Sequence, residues 1–315
     1  MPGTKFETVL VTGGAGFIGS HLVDRLIADG YKIRVLDNLS TGKLRNIQRY
    51  TGTKNFQFIK GDIRDPSTVR KALRKVHAVF HEAAHVSVTD SFTNPTRTSE
   101  VNTTGTLTLL QASVECDVKR LVYSSSASIY GDQGEQRVKE DSTLRPMSPY
   151  AVSKLAAENY CSIFNKLGKL ETVSLRYFNV YGPRQSVNQY AGVITLFQDR
   201  VRRNKPPIIY GDGKQTRDFV HVLDVAEANM LAMNTKKAAG EIFNIGTGHR
   251  TSILALAKMI IRASKNKQLR PIHLRARSGD IKHSCADIAE ARAYLGYSPR
   301  ITLRDYLAEL TQRGV

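Results

Sequence analysis

A glycine-rich turn near the start of the chain constrains the fold more than any other feature. Residues 8–12 have β-strand character and run into Thr12-Gly13-Gly14-Ala15-Gly16-Phe17-Ile18-Gly19, where an amphipathic helix begins. Gly13 permits a tight turn, Gly16 lets backbone approach a diphosphate, and Gly19 allows close strand–helix packing. The helix N-terminus adds free N–H groups and a partial positive charge. The spacing therefore predicts a dinucleotide site at this turn.

Short apolar runs alternate with helix-length segments through the first half of the chain. Strands are predicted at residues 9–12, 33–37, 56–59, 78–84, 121–124, 172–177 and 241–245, and helices at 17–29, 66–75, 95–115 and 149–167. Strands that are apolar throughout and separated by helices are typical of a parallel sheet covered on both faces. The pattern predicts an α/β fold with a Rossmann-type doubly wound parallel sheet.

The pattern becomes less regular after residue 177. Gly182-Pro183, Pro206-Pro207 and Gly211-Asp212-Gly213 mark turns. We expect residues 1–177 and about 220–245 to form the dinucleotide-binding domain. Residues 178–219 and about 246–315 would then form a smaller α/β substrate-binding lobe.

Composition narrows the class of protein. The formal net charge is +18, with the basic residues dispersed, which favours attraction of anionic small molecules over specific nucleic-acid binding. Cys116, Cys161 and Cys285 form no C-x-x-C pair, and the eight histidines have no ligand spacing, so we expect no metal. Neither a long apolar run nor a signal peptide is visible, so no membrane partner and a cytoplasmic location are expected.

A carboxylate at the end of the second predicted strand indicates which dinucleotide binds. Asp37 lies 18 residues after Gly19 and can accept hydrogen bonds from both ribose hydroxyls while repelling a 2′-phosphate. This favours NAD, although Lys43 and Arg45 lie nearby. Asp62, after the third predicted strand, could contact the adenine edge.

Two helical residues four apart supply proton-transfer chemistry. Tyr150 and Lys154 fall on one face of the helix predicted at 149–167. A phenol with a pKa near 10 is a poor base at neutral pH, but a neighbouring ammonium and a cationic nicotinamide would lower that pKa. Ser126 and Ser128 end the fifth predicted strand, at the sheet edge where ligands bind. We expect Ser126 to bridge the substrate and Tyr150, with Ser128 assisting.

Taken together, these residues resemble the extended short-chain dehydrogenase/reductase family, specifically its UDP-glucose and UDP-N-acetylglucosamine 4-epimerases. The resemblance covers essentially the whole chain. It rests on residues 12–20, 37–39, 83–84, 101–102, 124–131, 148–154, 175–184 and 217–221. It also includes Ser278-Gly279-Asp280, where the family more often has Pro before the Gly.

The resemblance implies roles for further residues. The implied NAD-binding set is Gly13, Gly16, Phe17, Ile18, Gly19, Asp37, Asn38, Leu39, Ser40, Thr41, Gly42, Asp62, Ile63, Ala83, Ala84, Asn102, Ser124, Tyr150, Lys154 and Tyr177. The implied UDP-sugar set is Ser87, Ser126, Ser128, Asn179, Val193, Ile208, Tyr210, Arg217, Arg277, Asp280 and Ser284. Arg217 and Arg277 suit the two phosphates, and Asp280 suits the uridine ribose. The small Ser284 implies room for an N-acetyl group.

The implied activity is NAD-dependent inversion at C4 of a UDP-hexose through a transient 4-keto sugar, in a homodimer. The alternatives within the family are a nucleotide-sugar 4,6-dehydratase and a UDP-glucuronate 4-epimerase or decarboxylase. A dehydratase carries Thr-Asp-Glu where this chain has Ala127-Ser128-Ile129, and we locate no cation for a sugar carboxylate. A protein that senses NAD without turnover is the non-enzymatic alternative, and such proteins usually lose the Tyr/Lys pair.

Overall fold

The structure, a computed structural model, describes residues 7–186, 192–276 and 281–312. Its strands are Thr8–Thr12 (β1), Lys32–Asp37 (β2), Phe56–Lys60 (β3), Ala78–His81 (β4), Arg120–Ser126 (β5), Glu171–Tyr177 (β6), Asn179–Tyr181 (β7), Ile208–Tyr210 (β8), Thr216–Arg217 (β9), Phe219–His221 (β10), Ile242–Ile245 (β11), Thr251–Ser252 (β12) and Ile272–Leu274 (β13). Its helices are Phe17–Ala28 (α1), Pro66–Leu73 (α2), Val88–Thr93 (α3), Pro95–Ser99 (α4), Gly105–Glu115 (α5), Pro149–Lys166 (α6), Val193–Arg202 (α7), Val222–Asn234 (α8), Ile253–Arg262 (α9) and Leu303–Gln312 (α10).

Seven of the described strands form one central sheet in the order β11-β6-β5-β4-β1-β2-β3. Every pairing in this sheet is parallel. The chain leaves β1 in one direction toward β2 and β3 and returns on the other side at β4, so the strand order reverses between β1 and β4. In such sheets ligands bind at the carboxyl ends of the strands beside this switch point. The predicted doubly wound α/β fold is confirmed.

Alternating side chains bury both faces of the sheet. Val11 lies opposite Val35 in the register of β1 and β2, and both belong to the core that α1 and α8 cover. Leu10 and Leu36 belong to the core on the other face, beneath α2, α5 and α6. Each such buried aliphatic side chain contributes roughly 1.5–3 kcal/mol of transfer free energy. The sheet edge that carries the site is therefore held from both sides.

A third hydrophobic core lies among the elements that follow β6. Tyr181 from β7, Phe197 from α7, Ile209 from β8, Leu256 from α9 and Tyr306 from α10 are buried together. The strands here form three two-stranded pairs: β7 with β10, β9 with β12, and β8 with β13.

Two predicted elements differ from those observed. The strand predicted at 78–84 ends at His81, because the chain leaves the sheet at the switch point. The helix predicted at 95–115 consists of α4 and α5 joined by a π-helical turn, Glu100–Thr104. Within the described part of the chain, none of the helices has the length and apolar character needed to span a membrane.

Candidate active site

A cleft of about 470 Å³ follows the carboxyl edge of the central sheet from the glycine-rich turn to α6. Most of the predicted site residues meet there. Those that line it are Gly13, Gly16, Phe17, Ile18, Gly19, Asp37, Asn38, Ser40, Thr41, Asp62, Ile63, Ala83, Ala84, Ser87, Ser126, Tyr150, Tyr177 and Asn179. The structure thus places the residues predicted to bind a dinucleotide and the hydroxyls predicted for proton transfer in the same cleft.

The glycine-rich turn is shaped by close backbone contacts. Gly13 has φ +68°, and a Cβ atom there would lie 2.7 Å from the Ala83 nitrogen. A Cβ atom at Gly19 would lie 2.3 Å from the Gly13 carbonyl oxygen. Gly16 is the N-cap of α1 and has no side chain to occupy the N–H groups of the first turn. A diphosphate fits this cradle, since Cβ atoms would otherwise fill it and helix N-termini favour anions.

Asp37 lies beside this cradle at the end of β2. Its carboxylate accepts hydrogen bonds from the Ala15 N–H at 2.9 Å and the Leu39 N–H at 2.7 Å. Burial raises the pKa of Asp37 above its ordinary value, while the two backbone donors act in the opposite direction. The backbone of Gly42 lies directly against the Asp37 carboxylate, because a Cβ atom at position 42 would be only 2.8 Å from it. The carboxylate is fixed at the wall of the cleft, where ribose hydroxyls can reach it.

Asp62 lies at the same end of the cleft and is held by two side chains. It accepts hydrogen bonds from Asn38 Nδ2 at 2.9 Å and from Arg64 Nε at 2.9 Å. The Arg64 guanidinium is the largest cause that lowers the pKa of Asp62 to about 2. Asp62 is therefore an ionised acceptor at neutral pH, which suits an exocyclic amino group.

Tyr150 and Ser126 form the reacting end of the cleft. Tyr150 stands in the first turn of α6, whose N-cap Ser148 accepts the Ala151 N–H at 3.1 Å. Ser126 donates to Ser128 Oγ at 2.9 Å. Burial raises the pKa of Tyr150 above its ordinary value, and a side-chain hydrogen bond with Ser126 opposes that rise. The predicted lowering of this pKa is not observed in the protein itself.

Lys154 is one turn further along α6 and is 3% exposed. Its Nζ lies 4.6 Å from the centroid of the Tyr123 ring, in a cation–π contact. Burial lowers the pKa of Lys154 to about 8, and the charge of Glu82 opposes this shift. Lys154 lies behind the surface of the cleft, in contact with the aromatic ring beneath it.

Asn102 was predicted to bind the cofactor but lies outside the cleft lining, in the π-helical turn. Its Oδ1 accepts the His85 N–H at 2.7 Å, and its Nδ2 donates to the His85 carbonyl at 3.1 Å and to Ser153 Oγ at 3.0 Å. Asn102 therefore ties the segment after β4 to α6. π-Bulges often mark functional sites, and this one holds the wall of the cleft.

Other predicted residues lie outside the lining as well. They are Leu39, Gly42, Ser124, Lys154, Ser128, Val193, Ile208, Tyr210, Arg217 and Ser284. Arg277 and Asp280 lie outside the described residues. Ser124 has a structural contact instead, because its hydroxyl donates to the His81 carbonyl at 2.8 Å.

The predicted UDP-site residues gather around the third core. Ile208 and Tyr210 lie in β8 and Val193 begins α7. Ser284 donates its N–H to the Thr216 carbonyl at 3.2 Å, and Arg217 Nη1 donates to the same oxygen at 2.9 Å. Asn179 and Gly192 line the cleft where this group meets it.

Several lining residues were missed in the sequence. They are Leu36, Gly61, Glu82, His85, Val86, Val101, Ser125, Phe178, Val180, Gln185, Ser186 and Gly192. Glu82 carried a usable signal, since a carboxylate in a predicted strand that is apolar apart from His81 indicates a specific structural or functional role. Among the described residues no group of three or more His, Cys, Asp or Glu is placed to hold a metal ion.

Comparisons with known proteins agree with this geometry. Residues 9–246 match the family model described as "NAD dependent epimerase/dehydratase family". The UDP-glucose 4-epimerase of Mycolicibacterium smegmatis is 37% identical over 308 residues, which is 96% of this chain and 97% of that protein. Curated dTDP-D-glucose 4,6-dehydratases of Mus musculus, Homo sapiens and Bos taurus also match, at 37–38% identity over 84% of this chain.

Solved structures match over nearly the full length. A UDP-glucose 4-epimerase of Thermotoga maritima, solved with UDP-glucose, has a TM-score of 0.91 and 38% identity, covering 97% of both chains. A UDP-N-acetylglucosamine 4-epimerase of Methanobrevibacter ruminantium, solved with UDP-N-acetylmuramic acid, has a TM-score of 0.90 and 37% identity, covering 98% of both. The chain belongs to the NAD-dependent epimerase/dehydratase family.

Proposed function

We propose that this protein is an NAD-dependent enzyme that interconverts UDP-hexoses by inverting C4, as in UDP-glucose and UDP-galactose, through a transient 4-keto sugar. The observation that carries the proposal is the position of Tyr150. Its phenol lines the same cleft as the glycine-rich turn and Asp37, and the Ser126 hydroxyl lines that cleft with it.

The chain's own residues supply positioning and proton transfer. When bound, NAD supplies a reversible hydride acceptor for the sugar C4. Tyr150 takes the proton of the sugar O4 and later returns it, while Ser126 orients that oxygen. Lys154 contributes positive charge that favours the phenolate, against the burial that raises the pKa of Tyr150. Inversion follows when the keto sugar presents its other face before the hydride returns.

The NAD-binding and UDP-binding roles predicted from the sequence are part of the same proposal. The lining residues from Gly13 to Ala84 would hold NAD, and the group around β8, β9 and Ser284 would hold the UDP part. The division into residues 1–177 with about 220–245, and 178–219 with about 246–315, would separate these two tasks. The separate third core supports it.

We extend the proposal to UDP-GlcNAc and UDP-GalNAc. Ser284 is small, and the family resemblance places it beside the C2 substituent. The similar M. ruminantium protein is a UDP-N-acetylglucosamine 4-epimerase. Purified protein that turns over UDP-glucose but leaves UDP-GlcNAc unchanged would contradict this extension.

A 4,6-dehydratase is the second candidate, because dehydratases are among the relatives. In this chain Ala127–Tyr130 form a 3₁₀ turn directly after Ser126, and none of these four side chains is an acid that could assist loss of water. The epimerase is therefore favoured.

We also propose a homodimer in the cytoplasm. The family resemblance implies that the helices predicted at 95–115 and 149–167 pair between subunits. Leu109 and Leu110 of α5 are fully buried within one chain, so such an interface would use exposed residues of these helices, such as Val152 of α6.

Replacing Tyr150 by Phe tests the proposed function. Tyr150→Phe should fold and retain NAD but lose about 10²–10⁴-fold in kcat, because the proton acceptor is gone. Tyr160→Phe, on the same helix outside the cleft lining, is the matched control and should remain near normal. The assay is UDP-galactose formation from UDP-glucose, with NAD content measured on the same samples. Near-normal turnover by Tyr150→Phe would refute the assignment.

A further inference from the structure

We infer that Glu82 is a positioning residue that favours the oxidised form of the bound cofactor over the reduced form. The inference rests on the proposed placement of NAD in the cleft. It concerns a carboxylate to which neither the glycine-rich motif nor the Tyr150–Lys154 pair assigns a role.

Glu82 is held at the switch point of the sheet. It follows the last residue of β4 and lines the cleft, and its N–H donates to the Thr12 carbonyl at 3.2 Å. The Tyr177 hydroxyl donates to Glu82 Oε1 at 2.9 Å. Asn229 Nδ2 in turn donates to the Tyr177 oxygen at 2.7 Å and to the Val225 carbonyl at 2.9 Å. A chain of hydrogen bonds from α8 through β6 thus fixes the carboxylate.

Burial raises the pKa of Glu82, and the polar groups that face it act in the opposite direction. The Tyr177 hydroxyl from β6 donates to the carboxylate, and Lys154 from α6 supplies a positive charge. Glu82 in turn opposes the burial that lowers the pKa of Lys154. A second cation entering the cleft would favour the carboxylate further.

The two redox forms of nicotinamide differ in charge at this end of the cleft. The oxidised ring is a cation and the reduced ring is neutral, so a nearby carboxylate stabilises the oxidised form selectively. The Lys154 ammonium has the opposite effect, which Glu82 offsets. In the return step C4 of the keto sugar gains the hydride, its oxygen gains the Tyr150 proton, and the nicotinamide is oxidised. Glu82 therefore favours completion of the cycle over stranding of the reduced enzyme.

The test is the reduction potential of the bound cofactor in the holoenzyme. Glu82→Gln preserves an oxygen that can accept the Tyr177 hydrogen bond but removes the charge. At the midpoint potential of the wild type, the variant should hold at least about tenfold more reduced than oxidised cofactor, because a unit charge about 12 Å away in an effective dielectric of about 20 produces that ratio and a nearer charge produces a larger one. The titration uses redox dyes and the near-ultraviolet absorbance of reduced nicotinamide.

Two further variants test whether the shift in midpoint potential comes from the charge of Glu82 or from a change in the surrounding structure. Glu140→Gln removes a partly buried carboxylate outside the cleft lining, one that accepts the Asn244 N–H at 2.7 Å, and should leave the midpoint unchanged. Tyr177→Phe removes a donor to Glu82 and should shift the midpoint in the same direction by less.

An unchanged or lowered midpoint in Glu82→Gln would overturn the inference. So would loss of oxidised and reduced cofactor alike from that variant, since a purely structural role would affect both. The shift in midpoint potential caused by Glu82→Gln can be measured whether or not the proposed reaction is correct. Full turnover by Tyr150→Phe would refute the reaction while leaving the potentials as predicted.

Discussion

The hydroxyl of Tyr150 lies in a buried part of the cleft, and its surroundings decide its acidity. Helical spacing predicted that Tyr150 and Lys154 share one face of α6, but not that Lys154 is buried behind the cleft while Tyr150 lines it. Because burial disfavours either charge, it raises the pKa of Tyr150 and lowers that of Lys154 to about 8. The phenolate therefore depends on every positive charge at this end of the cleft, including the oxidised nicotinamide.

The choice between NAD and NADP depends on one carboxylate. Asp37→Asn can still accept one of the two backbone hydrogen bonds but no longer repels a 2′-phosphate. The ratio of NADP to NAD bound should rise by about tenfold or more, the effect expected when a unit charge within several ångströms is removed. Competition binding to protein stripped of cofactor measures this ratio. Asp29→Asn, at the end of α1 and outside the cleft lining, should leave it unchanged, and an unchanged ratio in Asp37→Asn would contradict the ribose assignment.

Periodicity predicted the elements of the sheet well, because apolar runs and glycine-rich turns reflect local chemistry. It placed the end of β4 three residues too late, since Glu82, Ala83 and Ala84 continue the strand-like pattern while the tertiary fold directs them into the cleft. It also missed the π-helical turn that positions Asn102, because a single extra residue in a helical turn leaves little trace in spacing. The Glu82 contacts depend on Tyr177 and Asn229, which are far away in the sequence.

The first turn of α1 gives an element-level prediction. A methyl group in Gly19→Ala would lie 2.3 Å from the Gly13 carbonyl, so the helix must move away from β1. We expect a loss of about 1–3 kcal/mol in the free energy of unfolding and a marked loss of bound NAD. Denaturant titration and cofactor content are the measurements.

Gly30→Ala is the control for that variant. Gly30 has φ +86°, and a Cβ atom there would meet nothing within 4 Å. The substitution should cost about 1–2 kcal/mol through backbone strain alone while NAD stays bound. Equal loss of NAD from both variants would show that global stability, not the cradle, controls cofactor retention.

Two buried histidines should make the folded protein less stable in acid. His81 contacts Thr12 and Thr106 hydroxyls, each at 2.8 Å, and burial lowers its pKa from 6.5 to about 3. Burial likewise lowers the pKa of His221 to about 4. Between pH 6.5 and these values the unfolded chain binds more protons than the folded one, so stability is fully present above pH 6.5 and is lost as pH falls. At pH 5.5 each histidine should cost about 1.4 kcal/mol.

The free energy of unfolding measured from pH 7.5 to 5.5 tests this window. His81→Gln, which can bond to both hydroxyls but does not titrate, should reduce the loss of stability over this range. His249→Gln, at an exposed position, should leave the slope unchanged. A slope unaffected by His81→Gln would show that other groups control the acid response.

The whole molecule unites a cofactor cleft at the switch point of the sheet with a second group of residues around the third core. Both are needed to hold a UDP-sugar against NAD while its C4 is inverted. The most direct measurement uses UDP-glucose deuterated at C4, incubated with the purified protein without added NAD. We expect UDP-galactose that retains the deuterium at C4. Absence of the C4 epimer, a dehydrated product, or loss of the label to solvent would contradict it.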